Sequence, residues 1–164
     1  MQQRTWLGSL DAYQKGTIEI VNGSAEHFAM SNVFEVASGA QPYEKIVVGR
    51  NLDYVIEALK AHRTSTWFAA AHDEFAIVLD GTIDVQFVKA AKAPLVDPST
   101  KGSVRFDEQP QGQSMGYVRL RRGHQALLPA GAAYRFVAVH DGVLLLQTML
   151  GQHSVQKWDE ICIR

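Results

Sequence analysis

The chain has almost no cysteine: Cys162 is the single thiol in 164 residues. One thiol can neither close an intramolecular disulfide nor build a zinc knuckle, which points to a reducing compartment. Charge of one sign is lacking as well, since 16 basic and 17 acidic side chains leave a formal net charge of −1. With no long-range field to draw in nucleic acid or an anionic membrane, any partner must be recognised by local contacts. Long apolar runs are missing too. Val143-Leu144-Leu145-Leu146 falls far short of the ~20 residues that cross a bilayer. The opening stretch Met1-Gln-Gln-Arg-Thr-Trp6 has neither the apolar run nor the small-residue cleavage site of a signal peptide. The expected setting is the cytoplasm, with neither membrane nor nucleic acid as partner. No G-x-S-x-G, Walker A or C-x-x-C pattern occurs, so the usual acyl-transfer, nucleotide-phosphate and dithiol chemistries have no home here.

What is present is a 46% hydrophobic chain, long enough for one core without staples. Residues 7–15 read as a short amphipathic helix stopped by Gly16, and Thr17–Val21 as a strand running into an Asn22-Gly23 turn. Ser31-Asn32 caps a predicted helix over 31–38, and Lys45–Val48 reads as a strand. After Asn51, the residues Leu52, Val55, Ile56 and Leu59 stand at helical spacing, predicting a helix over 52–61. From Thr66 onward short strands are predicted at 66–71, 74–80, 82–89, 115–121, 124–128, 132–139, 142–150 and 154–158. Asp80-Gly81 and Asp141-Gly142 each read as a hairpin turn. Residues 90–113, with Pro94, Pro98, Gly102, Pro110 and Gly112, read as a long surface loop. The expected organisation is one mainly β domain over 1–164: a mixed α/β N-terminal extension (1–62), a β-barrel core (63–150) carrying the loop, and a C-terminal tail (151–164).

Two spacings are distinctive. Glu74-x6-Gly81 is followed by Gly123-x5-Pro129-x-Gly131-x2-Tyr134, and together they resemble the paired motifs of the cupin superfamily. The resemblance implies a double-sheet jelly-roll barrel with a few short N-terminal helices. In a metal cupin, two histidines and a glutamate from the first motif and a histidine from the second converge on an ion inside the barrel. Here the first two positions fall on Trp67 and Ala69 or on Phe68 and Ala70, depending on spacing, and the last falls on Tyr134. Only Glu74 retains a ligating side chain. A lone carboxylate does not hold catalytic Fe(II), which in oxygenases takes two His and one carboxylate, so no metal and no catalytic residue are expected in this chain. His72 and Glu74 share a strand face and make an alternative, shifted pair; the other reading has them hydrogen-bonding in or at the mouth of the barrel. Trp67, His72, Glu74 and Tyr134 are the barrel-lining candidates. His124 reads as a turn residue, His27, His62, His140 and His153 as surface or cap residues, and Arg119, Arg121 and Arg122 as a solvated or salt-bridged face.

Further stretches carry a narrower resemblance: Ile18-Glu-Ile-Val-Asn-Gly23, Met30-Ser-Asn-Val-Phe-Glu-Val-Ala-Ser38, His72-Asp-Glu-Phe-Ala76, and Leu120-Arg-Arg-Gly-His-Gln-Ala-Leu-Leu-Pro-Ala-Gly131 with Tyr134-Arg-Phe136. Over residues 5–162 or so they resemble the small subunit of two-component hydroquinone 1,2-dioxygenases. That resemblance implies a bacterial enzyme of aromatic catabolism, in which this chain joins a larger cupin subunit as a heterotetramer. It also implies that Fe(II) sits in the large subunit, and that the complex opens a small aromatic substrate, hydroquinone, to 4-hydroxymuconic semialdehyde. The small subunit is then noncatalytic and shapes or stabilises the active site of its partner. Trp6, Trp67 and Trp158 are candidate partner anchors, because Trp is enriched at buried interface centres. Two other readings stand beside this one: a metal-free cupin binding a small aromatic or sugar ligand, and a metal-free isomerase with His72 as base and Tyr134 as acid.

Overall fold

Alternating β-branched and small apolar residues put most of this chain into strands. The computed structural model describes residues 8–13 and 32–161. The predicted strand at 17–21 with its Asn-Gly turn, Trp6, and Cys162 lie outside the described residues. Within 8–13 there is no helix: Ser9 and Ala12 exchange backbone hydrogen bonds in a tight bend, and Leu10 N donates to Asp80 Oδ2 at 2.9 Å. Helix α1 (Val33–Gly39) starts where its cap requires, with Asn32 Oδ1 accepting from Phe34 N.

Nine strands follow among the described residues: β1 (Lys45–Asn51), β2 (Tyr54–Ala61), β3 (Trp67–Ala70), β4 (Glu74–Ala90), β5 (Ser103–Phe106), β6 (Gly112–Arg121), β7 (Gln125–Leu128), β8 (Ala132–Met149) and β9 (Ser154–Val155). A short helix, α2 (Trp158–Ile161), replaces the end of the strand predicted at 154–158. The helix predicted over 52–61 is likewise absent. Leu52 takes a positive φ of 56° in a tight turn, and the rest becomes β2, paired in antiparallel register with β1 and β8 on either side. Two available strand edges decided that segment against its helical spacing.

The order β5-β3-β8-β2-β1-β9, with β4 against β8, β6 and β7, curls the sheet into a cupin-type jelly roll. Its corner is made by two strands much longer than predicted. β4 and β8 each run straight through an Asp-Gly pair that the sequence reads as a hairpin. The pairs lie opposite one another in register, at the point where the β4–β8 ladder shifts. A Cβ on Gly142 would fall on the Asp80 carbonyl oxygen, and Gly81, at φ 84°, faces the Asp141 carbonyl. The Asp-Gly signals thus mark paired bulges that bend two strands from one sheet half to the other. The predicted loop 90–113 contains β5, whose pairing with β3 brings it to the barrel wall.

Residues of one parity on β2, β4 and β8 fill the interior: Leu59 and Ala61, Ala76 and Val78, Tyr134, Phe136, Leu144 and Leu146, joined by Phe68 and Leu128. On the outside, α1 covers Ile46, Val48 and Ala58 with Val36 and Ala40. Beyond it, Tyr54, Ile56, Phe75 and Leu127 stay exposed on neighbouring strands.

Candidate functional site

Glu74 begins β4 fully buried inside the curl. Tyr134 OH donates to its Oε2 at 2.5 Å, and Thr148 Oγ1 donates to its Oε1 at 2.5 Å. Thr148 Oγ1 in turn lies 3.1 Å from His72 Nε2, a nitrogen that also takes a long hydrogen bond from Met149 N at 3.4 Å. The polar chain runs from His72 through Thr148 to Glu74, with Tyr134 entering from the other side. The structure thus brings His72, Glu74 and Tyr134 together through hydrogen bonds.

The register also decides between the two spacings of the first motif. Phe68 pairs with Tyr134 across β3 and β8, and its ring lies 5.9 Å from the Tyr134 ring. Alternation sets Ala70 on that same inner face. Trp67 and Ala69 face the other way, into a separate cluster with Val88, Val96 and Ala133, where the Arg135 guanidinium lies 4.7 Å over the indole. The barrel-lining position assigned to Trp67 belongs instead to Phe68. Trp67 is 5% exposed in this chain, while Trp158 is half-buried on α2.

The inner positions at which the motif resemblance implies metal ligands therefore carry Phe68, Ala70 and Tyr134. Burial and the neighbouring Glu74 carboxylate push the Tyr134 phenol well above its ordinary range, which keeps it a neutral donor. Tyr134 also packs edge-on against Phe136, 5.5 Å away, which in turn stacks on Tyr43 at 6.1 Å. An aromatic ladder thus occupies the barrel. Among the described residues no group of three or more His, Cys, Asp and Glu is placed to hold an ion, and the donor set at Glu74 does not fit one.

Sequence reasoning missed a second set of buried polar groups beside this one. Lys45 is 3% exposed; its Nζ lies 4.4 Å over the Phe68 ring and hydrogen-bonds Ser103 on β5. Glu57 is 1% exposed; Ser154 Oγ donates to Oε1 at 2.6 Å, while Oε2 has no partner among the described residues. Burial, opposed by Lys45 and Ser154, pushes the Glu57 carboxyl up to about 7. The signal was available. Read as a strand, 54–61 places Glu57 on the face of Leu59 and Ala61, a charge among core residues. His153, expected at the surface, instead lines a cavity of about 380 Å³ beside Lys45. The basic stretch forms intrachain pairs, Arg119 with Asp84 at 2.7 Å and Arg122 with Asp80 at 2.9 Å.

A curled jelly roll with Phe68, Ala70 and Tyr134 on its inner face is a barrel filled by side chains. No family model matches the chain, and no curated protein does. Solved structures do. The chain is 53% identical to a chain of hydroquinone 1,2-dioxygenase PnpCD, a structure in complex with Cd2+ and 4-hydroxybenzonitrile; the match covers 99% of this chain and 98% of that one, with a TM-score of 0.88. It is 46% identical to a chain of hydroquinone 1,2-dioxygenase from Sphingomonas sp. TTNP3 with 4-hydroxybenzoate bound, again over 99% and 98%, with a TM-score of 0.90. A third chain, from PnpCD in complex with Fe3+, shares only the fold, at 9% identity and a TM-score of 0.58, and this chain spans 37% of it. The chain belongs to the hydroquinone 1,2-dioxygenase family as a subunit of such a ring-cleaving enzyme.

Proposed function

We propose that this chain is the noncatalytic small subunit of an Fe(II)-dependent dioxygenase that opens hydroquinone to 4-hydroxymuconic semialdehyde in the cytoplasm. The iron belongs to a larger cupin partner, and the two assemble as a heterotetramer. The carrying observation is the filled barrel: Phe68, Ala70 and Tyr134 stand where ligands are needed, and both oxygens of Glu74 already accept hydroxyl protons. Two kinds of chain under the PnpCD name support the partner. One is matched along almost its whole length, and one, much longer, carries the same fold in part. The role left to this chain is to stabilise the partner and shape the wall of its active site. The exposed row of Tyr54, Ile56, Phe75 and Leu127 accords with a protein that has a protein neighbour.

Reconstitution tests the reading. The chain alone should consume no oxygen with hydroquinone, and co-expression with a longer cupin chain should give oxygen uptake and the ring-opened product. Turnover by this chain alone, or full activity of the longer chain without it, would overturn the assignment.

A further inference from the structure

The barrel has a second feature, which meets the filled motif positions at Phe68 and meets Lys45 there as well. The cavity of about 380 Å³ beside Lys45 has Tyr43 and Phe68 as its aromatic wall and is lined by Glu44, Lys45, Arg105 and His153 as its charged and polar groups. That volume suits a molecule of roughly a dozen heavy atoms. Its charges are only partly balanced. Glu57 acts on Lys45 through space, but the two make no direct ion pair and the Glu57 carboxyl is itself pushed up to about 7; the Lys45 ammonium hydrogen-bonds Ser103 and lies over the Phe68 ring. Arg105 pairs with Asp107 at 3.1 Å, but Asp107 is 84% exposed and its charge is screened by solvent. Glu44, the acid on the lining, is engaged by Lys157 at 2.9 Å. The His153 imidazole registers the excess: burial first, then Lys45 and Arg105, hold it below its ordinary range, so it lines the cavity as a neutral donor or acceptor.

We propose that this cavity is a binding site for a small organic carboxylate, its anionic end between Arg105, Lys45 and His153 and its unsaturated or aromatic body against Phe68 and Tyr43. Two cations, one of them buried in low dielectric, favour an anion over a neutral molecule of equal shape. The apolar wall favours an organic anion over an inorganic one. The site is independent of whether the chain assembles with an iron-bearing partner, because binding is read without turnover.

Calorimetric titration of the full-length protein with benzoate, benzamide and inorganic phosphate tests it. Benzoate should bind about tenfold tighter than its neutral isostere benzamide, a ratio of one charge-assisted hydrogen bond. Arg105→Gln, at a half-exposed rim position where folding is safe, should weaken benzoate by about tenfold and leave benzamide unchanged. Comparing wild type with that variant cancels any site on another subunit. Equal binding of benzoate and benzamide, no benzoate binding at millimolar concentration, or an unchanged benzoate affinity in Arg105→Gln would overturn the proposal. Phosphate competing as well as benzoate would overturn the organic assignment.

Discussion

Glu57 Oε2 is a buried carboxylate oxygen without a hydrogen-bond partner among the described residues. A group so placed makes folding depend on pH. The native carboxyl titrates near 7 against an ordinary value of 4.5. Below pH 4.5 both folded and unfolded states hold the proton. Between 4.5 and 7 only the unfolded state has lost it, so this group's contribution to stability falls as pH rises, by about 3 kcal/mol in all, and is constant above 7. Glu57→Gln should remove that slope, seen as a difference between variant and wild-type urea midpoints that grows in the variant's favour from pH 5 to 7.5. Tyr134→Phe tests the neighbouring pair. Leaving Glu74 Oε2 without its donor should cost about 1–3 kcal/mol in urea unfolding, against near neutrality had the phenol been a bystander. Tyr134 and Glu74 were legible as neighbours from motif spacing alone. Glu57 was legible only once 54–61 is read as a strand, and Lys45 was not, because its partners come from strands that pair far apart in sequence.

At the level of elements, the two Asp-Gly pairs show how one local signal serves different ends. Asp-Gly favours positive φ whether the chain reverses or bulges. What settles the outcome is the partner strand, and β4 and β8 remain paired through both sites. Gly142→Ala should therefore be severe, about 3 kcal/mol or more, since the new Cβ meets the Asp80 carbonyl. Gly131→Ala has open space and only its positive φ of 77° to offend, and should cost about 1 kcal/mol in the same urea assay. The C-terminal segment offers another test. Ile161 packs against the α1 cluster and Lys157 pairs with Glu44. Removal of residues 157–164 should lower stability by about 1–3 kcal/mol, and weaken assembly with the larger chain on size exclusion; an unchanged complex would place the partner contact elsewhere.

For the whole molecule, the proposed scaffold role carries a prediction about metal content. Purified chain should carry only trace iron or manganese by elemental analysis, and stoichiometric metal would contradict the filled-barrel reading. The aromatic ladder from Phe68 through Tyr134 and Phe136 to Tyr43 supplies packing where an ion would otherwise organise the interior.

The motif frame of Glu74, Gly81, Gly123, Pro129, Gly131 and Tyr134 determined the jelly roll and which side chains stand at its motif positions, because turn chemistry and side-chain identity are properties of single residues at fixed spacing. Helical spacing at 52–61 misled, since the flanking strands claimed the segment and split the four apolar residues between two faces, Val55 and Leu59 buried and Leu52 and Ile56 exposed. Tertiary structure alone decided that Phe68 and not Trp67 faces inward, that two Asp-Gly pairs bend strands without reversing them, and that Lys45, Arg105 and His153 meet at one cavity. Each depends on register between distant strands, and register is fixed by what the assembled sheet can bury.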